Sequence, residues 1–161
     1  MAIALSVTCV WIIGVSAVVW ARLRDHAVVA VRDISRIERF FRDYGLSLPP
    51  AADPVSALVR RGGSAFEVAS FVADEADFRT FLEKADGKYR LTVQNGAERE
   101  KMLSRVAAVF AAAGVPFLSE AGRERCQAAE TWIIDSSVYF VSIPGTGKVF
   151  MAIVYDGALP E

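Results

Sequence analysis

The hydrophobic pattern of the chain begins with one unbroken apolar stretch, and periodic patterns follow it. Residues Ala2 to Ala21 carry no charged side chain, and Arg22 and Arg24 come directly after them. A helix of about 20 apolar residues, rising 1.5 Å per residue, crosses the roughly 30 Å hydrocarbon core of a bilayer. Trp20, beside the arginines, is typical of the membrane interface. The pattern predicts an uncleaved, single-pass transmembrane anchor over residues 1–21.

A secreted domain is the alternative interpretation of the same stretch. Val19 and Ala21 satisfy the small-residue rule for a signal-peptide cut after Ala21. Signal peptides, however, begin with a basic region and have an apolar core of about 7 to 15 residues. The stretch lacks the basic region and is longer, which favours the anchor. Its small residues Gly14, Ala17 and Ala21 lie three and four positions apart, a spacing that would allow homo-oligomers through the anchor helix.

The distribution of basic residues around the stretch predicts its orientation. Before it lies only the terminal amino group, whereas arginines are frequent in the next 20 or so residues. They are Arg22, Arg24, Arg32, Arg36, Arg39 and Arg42. The positive-inside rule then places the domain that follows in the cytoplasm. The extracytoplasmic side stays open, because acidic residues accompany these arginines on what reads as a solvated helix face.

Between the anchor and the main domain, the pattern predicts a helix and a linker. From His26 to Tyr44, apolar residues recur every three or four positions, which indicates an amphipathic stalk helix that ends at Gly45. The stretch from Leu46 to Pro54 contains three prolines, which lack the amide donor that a helix needs. Residues 22–53 are therefore expected to form the stalk and a Pro-rich linker, with a globular domain over 54–161.

The rest of the chain predicts an α+β domain with central helices and an antiparallel sheet that ends in a C-terminal β-hairpin. Helices are expected over Pro54 to Arg61, Asp74 to Ala85, Ala97 to Ala113 and Ser119 to Ala129, with Asp74 and Ser119 as N-caps. Strands are expected over Phe66 to Ala73, Lys88 to Gln94, Thr131 to Ile134, Val138 to Ile143 and Val149 to Tyr155. The turn Pro144-Gly145-Thr146-Gly147 joins the last two strands.

The composition of the chain argues against nucleic-acid binding, an internal disulfide and a His/Cys metal site. The 161 residues carry a formal net charge of −1, so the chain has no overall basic field that would attract nucleic acid. Of the two cysteines, Cys9 lies in the predicted anchor and Cys126 in the domain, which therefore cannot close an internal disulfide. His26 is the chain's single histidine, and with one cysteine it gives no ligand pair for a metal.

Motifs for catalysis or cofactor binding are weak. Gly147-Lys148 resembles the end of a phosphate loop, but Ser142 stands where the first glycine is required and Val149 where the magnesium-binding hydroxyl is required. Cys126 is interpreted as a packing residue, since His26 is far away along the chain. The sequence predicts no catalytic residue, no cofactor and no metal.

The acidic and hydroxyl clusters have structural interpretations. Asp74, Glu75 and Asp77 suit the first turn of a helix, where acids meet free amide groups. The run Asp135-Ser136-Ser137 indicates a bend between strands, because no glycine-flanked nucleophile or histidine accompanies it.

Two hypotheses of function follow. The first is a membrane-anchored interaction module that binds a protein partner non-covalently, as an accessory subunit, an adaptor or an immunity-type protein. The alternative is a membrane-anchored hydrolase that uses carboxylates or serines without histidine. It would require acids from separate elements, such as Asp77, Glu130 and Asp135, to meet in one pocket.

Overall fold

The computed structural model describes residues 27–31, 33–61 and 64–155, in which strands and helices are about equally frequent. The strands are β1 (Ala27–Val31), β2 (Ala52–Arg61), β3 (Ser64–Val72), β4 (Thr92–Gln94), β5 (Gln127–Ile133), β6 (Ser136–Ile143) and β7 (Lys148–Tyr155). The helices are α1 (Ser35–Asp43), α2 (Glu75–Tyr89), α3 (Gly96–Ala112) and α4 (Glu120–Arg125). Within these residues the seven strands form one antiparallel sheet in the order β1-β2-β3-β7-β6-β5-β4. The predicted α+β class and C-terminal hairpin are confirmed.

Helices cover both faces of the sheet, so its central strands are apolar on both sides. In β3, Phe66 and Val68 pack with α3 on one face, while Ala69 and Phe71 pack with α1 and α2 on the other. We call these two surfaces the α3 face and the α1/α2 face. Side chains alternate between them along each strand, which fixes the face of every strand residue discussed below.

An aromatic cluster holds the α1/α2 face together. Phe41 of α1 meets Phe81 of α2 edge to face, with ring centroids 5.3 Å apart. Phe140 of β6 lies 5.7 Å from Phe81 and 6.5 Å from Phe78. Each of these rings comes from a position that the three- and four-residue apolar spacing, or strand alternation, marks as inward facing. The cluster therefore fixes both helices on the sheet.

The predicted stalk helix is wrong over its first part. Ala27–Val31 forms β1, which pairs along β2, and the helix α1 begins only at Ser35. The backbone amide of Ser35 donates to Asp33 Oδ1 at 2.8 Å, which marks the new start. The reason lies in the valines of β1, since β-branched side chains favour a strand when a pairing edge is present. Ile37, like Phe41, is fully buried, so α1 packs on the sheet and is not a free stalk.

The predicted helix from Pro54 to Arg61 is also wrong, because Ala52–Arg61 forms β2 between β1 and β3. Proline is tolerated there at an irregularity in the β2–β3 pairing, where the register shifts between Ala52 and Val55 and Asp53 adopts φ +49°. The preceding segment, from Leu46, is the ordered arm that leads into β2, with the side chain of Leu46 buried.

Two further boundaries differ from the predictions. Helix α2 continues through Gly87 to Tyr89, so the strand predicted from Lys88 is reduced to the three residues of β4. A tertiary contact supports the longer helix, since the Tyr89 hydroxyl donates to the carbonyl of Tyr44 at 2.7 Å. The predicted helix from Ser119 ends at Arg125, because the next residues pair with β6 as the first part of β5.

The predicted anchor over residues 1–21 lies outside the described residues. Within the described part, no helix combines the length and the apolar character that crossing a membrane requires.

Candidate functional site

The three acids of the hydrolase alternative lie in different places. Asp77 is exposed in the first turn of α2, above the α1/α2 face. Glu130 points to the α3 face, where its Oε1 accepts a hydrogen bond from Gln94 Nε2 at 2.8 Å. Asp135 lies in the β5–β6 turn, at the other end of β6 from the start of α2. These acids therefore share no pocket.

The acidic cluster at the start of α2 has the capping role that the sequence predicts. The side chain of Asp74 accepts from the amides of Ala76 and Asp77, at 2.9 and 3.1 Å. The carboxylate of Glu75 accepts from the amide of Gly145 and so connects α2 to the β6–β7 turn. Among the described residues, no group of three or more His, Cys, Asp or Glu side chains is placed to hold a metal ion.

Cys126 is a buried packing residue with a protonated thiol. It is 4% exposed and belongs to the core beneath α3, and its Sγ donates to the carbonyl of Arg123 at 3.3 Å. Burial raises the pKa of the Cys126 thiol, which lowers the fraction of reactive thiolate at neutral pH. Ser136 and Ser137 are buried in β6 instead of forming the predicted bend, and the turn itself is Ile134 and Asp135.

The segment that resembled a phosphate loop is a hairpin turn, as predicted. It connects β6 to β7, and Gly145 and Gly147 adopt φ +77° and +62°. Gly147 also lies against the loop between β3 and α2, since the Ala73 amide donates to the Gly147 carbonyl at 2.9 Å. A Cβ at position 147 would overlap the carbonyl oxygen of Ala73.

We expect Gly147→Ala to destabilise the protein more than Gly145→Ala. Both substitutions force a side chain into the left-handed region, which costs about 1–2 kcal/mol. Only Gly147→Ala adds the overlap with Ala73, because the space around Gly145 is open among the described residues. Urea denaturation of both variants measures the difference. Equal losses in the free energy of unfolding would contradict this account of the turn.

A groove lies on the α1/α2 face, between α2 and the ends of β5, β6 and β7. It consists of two adjoining hollows of about 120 and 390 Å³, which share Phe78 and Leu82 of α2 as a common wall. We call it the α2 groove. Its other apolar lining residues include Leu91, Val93, Ala129, Phe140 and Val149.

Basic side chains border the α2 groove at both ends. Arg79 and Lys148 line the smaller hollow, and Arg99 lines the larger one. Glu75, an acid in the smaller hollow, is already bonded to the amide of Gly145. The Arg99 Nε is buried and makes no hydrogen bond to the described residues, although its Nη2 lies 3.0 Å from Glu100 Oε1. The groove thus combines apolar side chains with uncharged polar ones, such as Gln127 and Ser142, and has basic side chains at both ends.

The outer wall of the α2 groove is an edge strand. Strand β4 pairs with β5 alone, and within the described residues no strand covers its other side. Val93, in the middle of β4, is 61% exposed and lines the groove. An uncovered strand edge offers backbone donors and acceptors to an incoming extended segment.

A buried carboxylate, Glu67, is the polar feature that the sequence analysis missed. Its side chain is 2% exposed in the middle of β3, where Oε1 lies 3.3 Å from Arg36 Nε and Oε2 accepts from the Tyr155 hydroxyl at 3.0 Å. Burial raises the pKa of Glu67, and the bonds from Tyr155 and Arg36 oppose that rise. The pKa of Tyr155 is raised as well, by burial and by the neighbouring carboxylate, so its hydroxyl stays a donor. The cluster connects α1 to the sheet. Its one signal in the sequence is a lone acid within an apolar strand.

Comparison of the chain with protein-family profiles, curated proteins and solved structures found no match. The function is therefore inferred from the α2 groove and the sequence pattern.

Proposed function

We propose that the protein is a single-pass membrane-anchored module that binds a segment of a protein partner in the α2 groove, without covalent chemistry. The observation that carries the proposal is the groove itself, which has apolar side chains in its lining, basic side chains at both ends and an uncovered strand edge beside it. The uncharged stretch from Ala2 to Ala21 supports the anchor. An accessory subunit, an adaptor and an immunity-type protein are concrete forms of this function.

The chemistry of the groove defines the partner. Phe78, Leu82 and Val93 present apolar surface that a Leu, Ile or Phe side chain would cover. Arg79, Lys148 and Arg99 favour acidic residues on either side of that apolar residue. Strand β4 can add main-chain hydrogen bonds if the segment is extended. The partner segment is therefore an extended stretch with an apolar anchor residue and flanking acids.

The arginines that follow the anchor favour a cytoplasmic domain and so a cytoplasmic partner. The extracytoplasmic side is the alternative, and a topology reporter fused after Glu161 distinguishes the two. The hydrolase alternative has less support, since Asp77, Glu130 and Asp135, the acids that exemplify it, lie apart.

A photocrosslinking residue at Val93 tests the function directly. The full chain, in its native membrane, is expected to crosslink a partner from position 93 and not from the matched control Ala108, an exposed alanine on α3. Adding Leu82→Glu and Lys148→Glu should abolish the crosslink, because they reverse the groove's apolar and basic character. The crosslinked peptide should contain acids beside an apolar residue.

Purification in mild detergent shows whether a partner stays bound to the chain. A chain that is recovered alone, with no crosslink from Val93, would contradict the binding function. A crosslink that survives Leu82→Glu with Lys148→Glu would remove the α2 groove as the binding site.

A further inference from the structure

We propose that one end of the sheet, which carries the β5–β6 turn, lies on the bilayer surface with Trp132 and Ile134 among the lipid headgroups. The inference rests on the membrane anchor of the proposed function and adds a second lipid contact to it. The α2 groove and the β6–β7 turn lie at one end of the sheet, and this lipid contact lies at the other end.

Strand register places this end of the sheet beside the anchor. Paired residues form a single row across the six strands from β1 to β5. The row runs through Ala27, Arg60, Ala65, Tyr155, Ser136 and Ile133. The chain therefore comes into the sheet at Ala27 on the same end at which Ile134 and Asp135 form the β5–β6 turn.

The chain between the anchor and the sheet is short. Residues 22–26 connect Ala21 to Ala27, six peptide steps that span at most roughly 20 Å. The β5–β6 turn lies four to five strand spacings from β1, or about 19–24 Å along the sheet end. A domain held at the β1 corner can thus place its β5 corner on the same lipid surface.

Exposed apolar side chains concentrate at this corner. In the described part of the chain, the large apolar residues that remain exposed are Val93 (61%), Trp132 (60%) and Ile134 (65%). Val93 lines the α2 groove, whereas Trp132 and Ile134 lie at the end of the sheet nearest the anchor. Tryptophan favours the headgroup region of a bilayer, and a neighbouring isoleucine adds apolar surface that lipid would cover.

The backbone conformation of Ile134 is unusual for an isoleucine. It occupies the first position of the two-residue β5–β6 turn with φ +55°, which a β-branched side chain rarely adopts and which Gly or Asn adopts readily. Neither the turn nor the core explains an isoleucine there, because the side chain is exposed. Contact with lipid does explain it.

The charges at this end also fit a lipid surface. Arg60, in the row of paired residues, is exposed, as is Arg90 at the end of α2. The Thr131 hydroxyl lies 3.4 Å from the carbonyl of Arg90, which places Arg90 beside the last part of β5 on the α1/α2 face, whereas the Trp132 side chain lies on the α3 face. Arginines near the surface are attracted to anionic headgroups, and Asp135 in the turn opposes them in part.

Tryptophan fluorescence of the full chain in vesicles tests the inference. Trp11→Phe and Trp20→Phe leave Trp132 as the fluorophore, and the vesicles contain equal parts of phosphatidylcholine and phosphatidylserine. Brominated phosphatidylcholine is expected to quench Trp132 several-fold more than it quenches the control. The control carries Trp132→Phe and Ala108→Trp in the same background, with the fluorophore on the exposed side of α3.

Ile134→Asn gives a second test, because it should weaken the contact with lipid without lowering the stability of the fold. Quenching of Trp132 by brominated lipid should fall several-fold, while the midpoint of thermal unfolding should stay unchanged or rise, because asparagine relieves the strained φ. Val93→Ser removes a similar exposed apolar side chain at the α2 groove and should leave the quenching unchanged. Equal falls for Ile134→Asn and Val93→Ser would overturn the inference.

The outcomes separate this inference from the anchor. Trp132 quenched no more than the control, in a chain that carbonate does not extract, would overturn the inference and leave the anchor intact. Trp132 shielded from acrylamide but not quenched by brominated lipid would show a covering protein or second copy, and would also overturn it. Trp132 quenched in a chain that carbonate extracts would support the lipid contact and contradict the anchor.

Discussion

Phe140→Ala is expected to lower the free energy of unfolding by about 3–5 kcal/mol. The ring of Phe140 is 2% exposed and lies within 6.5 Å of the rings of Phe41, Phe78 and Phe81. Its removal would leave a cavity where β6 meets α1 and α2, and the surrounding rings cannot all move to fill it. Urea denaturation of the full chain measures the loss.

Phe117→Ala is the matched control for this substitution. Phe117 also contacts two rings, those of Phe110 and Phe150 at 4.9 and 5.1 Å, but it is only partly buried. Solvent can fill part of the space that it leaves, so a smaller loss is expected. Losses of the same size would show that the cluster around Phe140 has no special role in holding α1 and α2. Because Phe140 also lines the α2 groove, Phe140→Ala should weaken partner binding as well.

Tyr155→Phe is expected to lower the free energy of unfolding by about 1.5–3 kcal/mol near neutral pH. The Tyr155 hydroxyl donates to the buried Glu67, whose other oxygen faces Arg36 at 3.3 Å. Without that donor, an ionised carboxylate stays buried with one partner fewer. The loss should be much smaller in a Glu67→Gln background, which a double-mutant cycle measures.

The same pair predicts a pH dependence with a definite sign. Burial raises the pKa of Glu67 above its ordinary value of 4.5, so the folded chain holds this proton more tightly than the unfolded chain does. The associated stability is complete below pH 4.5 and is lost as the pH rises through the raised pKa. As the pH rises from 4.5 through the raised pKa of Glu67, the free energy of unfolding of the wild type should therefore fall relative to that of Glu67→Gln, as urea denaturation at each pH would show.

Tyr139→Phe is the control for Tyr155→Phe, because it removes a buried tyrosine hydroxyl that does not bond to a carboxylate. Tyr139 is also largely buried, and its nearest polar neighbour on the strand is the neutral Ser137, two residues away on the same face. Its loss should change little across the acid range, whereas the loss from Tyr155→Phe should shrink as Glu67 becomes protonated. Parallel behaviour of the two variants would contradict an ionised Glu67 in the folded protein.

The elements that sequence predicts well are those with local causes. The Asp74 cap, the apolar stripe of α3 and the β6–β7 turn each depend on residues a few positions apart. The residues of β1 and β2 have an apolar spacing that fits a helix as well as a strand, and the choice between the two depends on pairing with distant strands.

The candidate site was harder to predict than the fold. Glu67 is a lone acid in the sequence, and nothing local shows that Arg36 and Tyr155 meet it across the sheet. The α2 groove is a shape that arises from how α2 crosses the strand ends, so its lining residues come from separate segments. Only packing brings such residues together.

The length of β6 fixes how far the hairpin end of the α2 groove would stand from the bilayer in the proposed arrangement. Its eight residues, at about 3.3 Å each, separate the β5–β6 turn from the β6–β7 turn by roughly 25 Å. With the first turn on the lipid, the hairpin end of the α2 groove stands clear of the headgroups. A partner that is itself embedded in the membrane would then need about eight extended residues between its own span and its binding segment. A partner arriving from the aqueous phase would reach the groove before it reached the lipid.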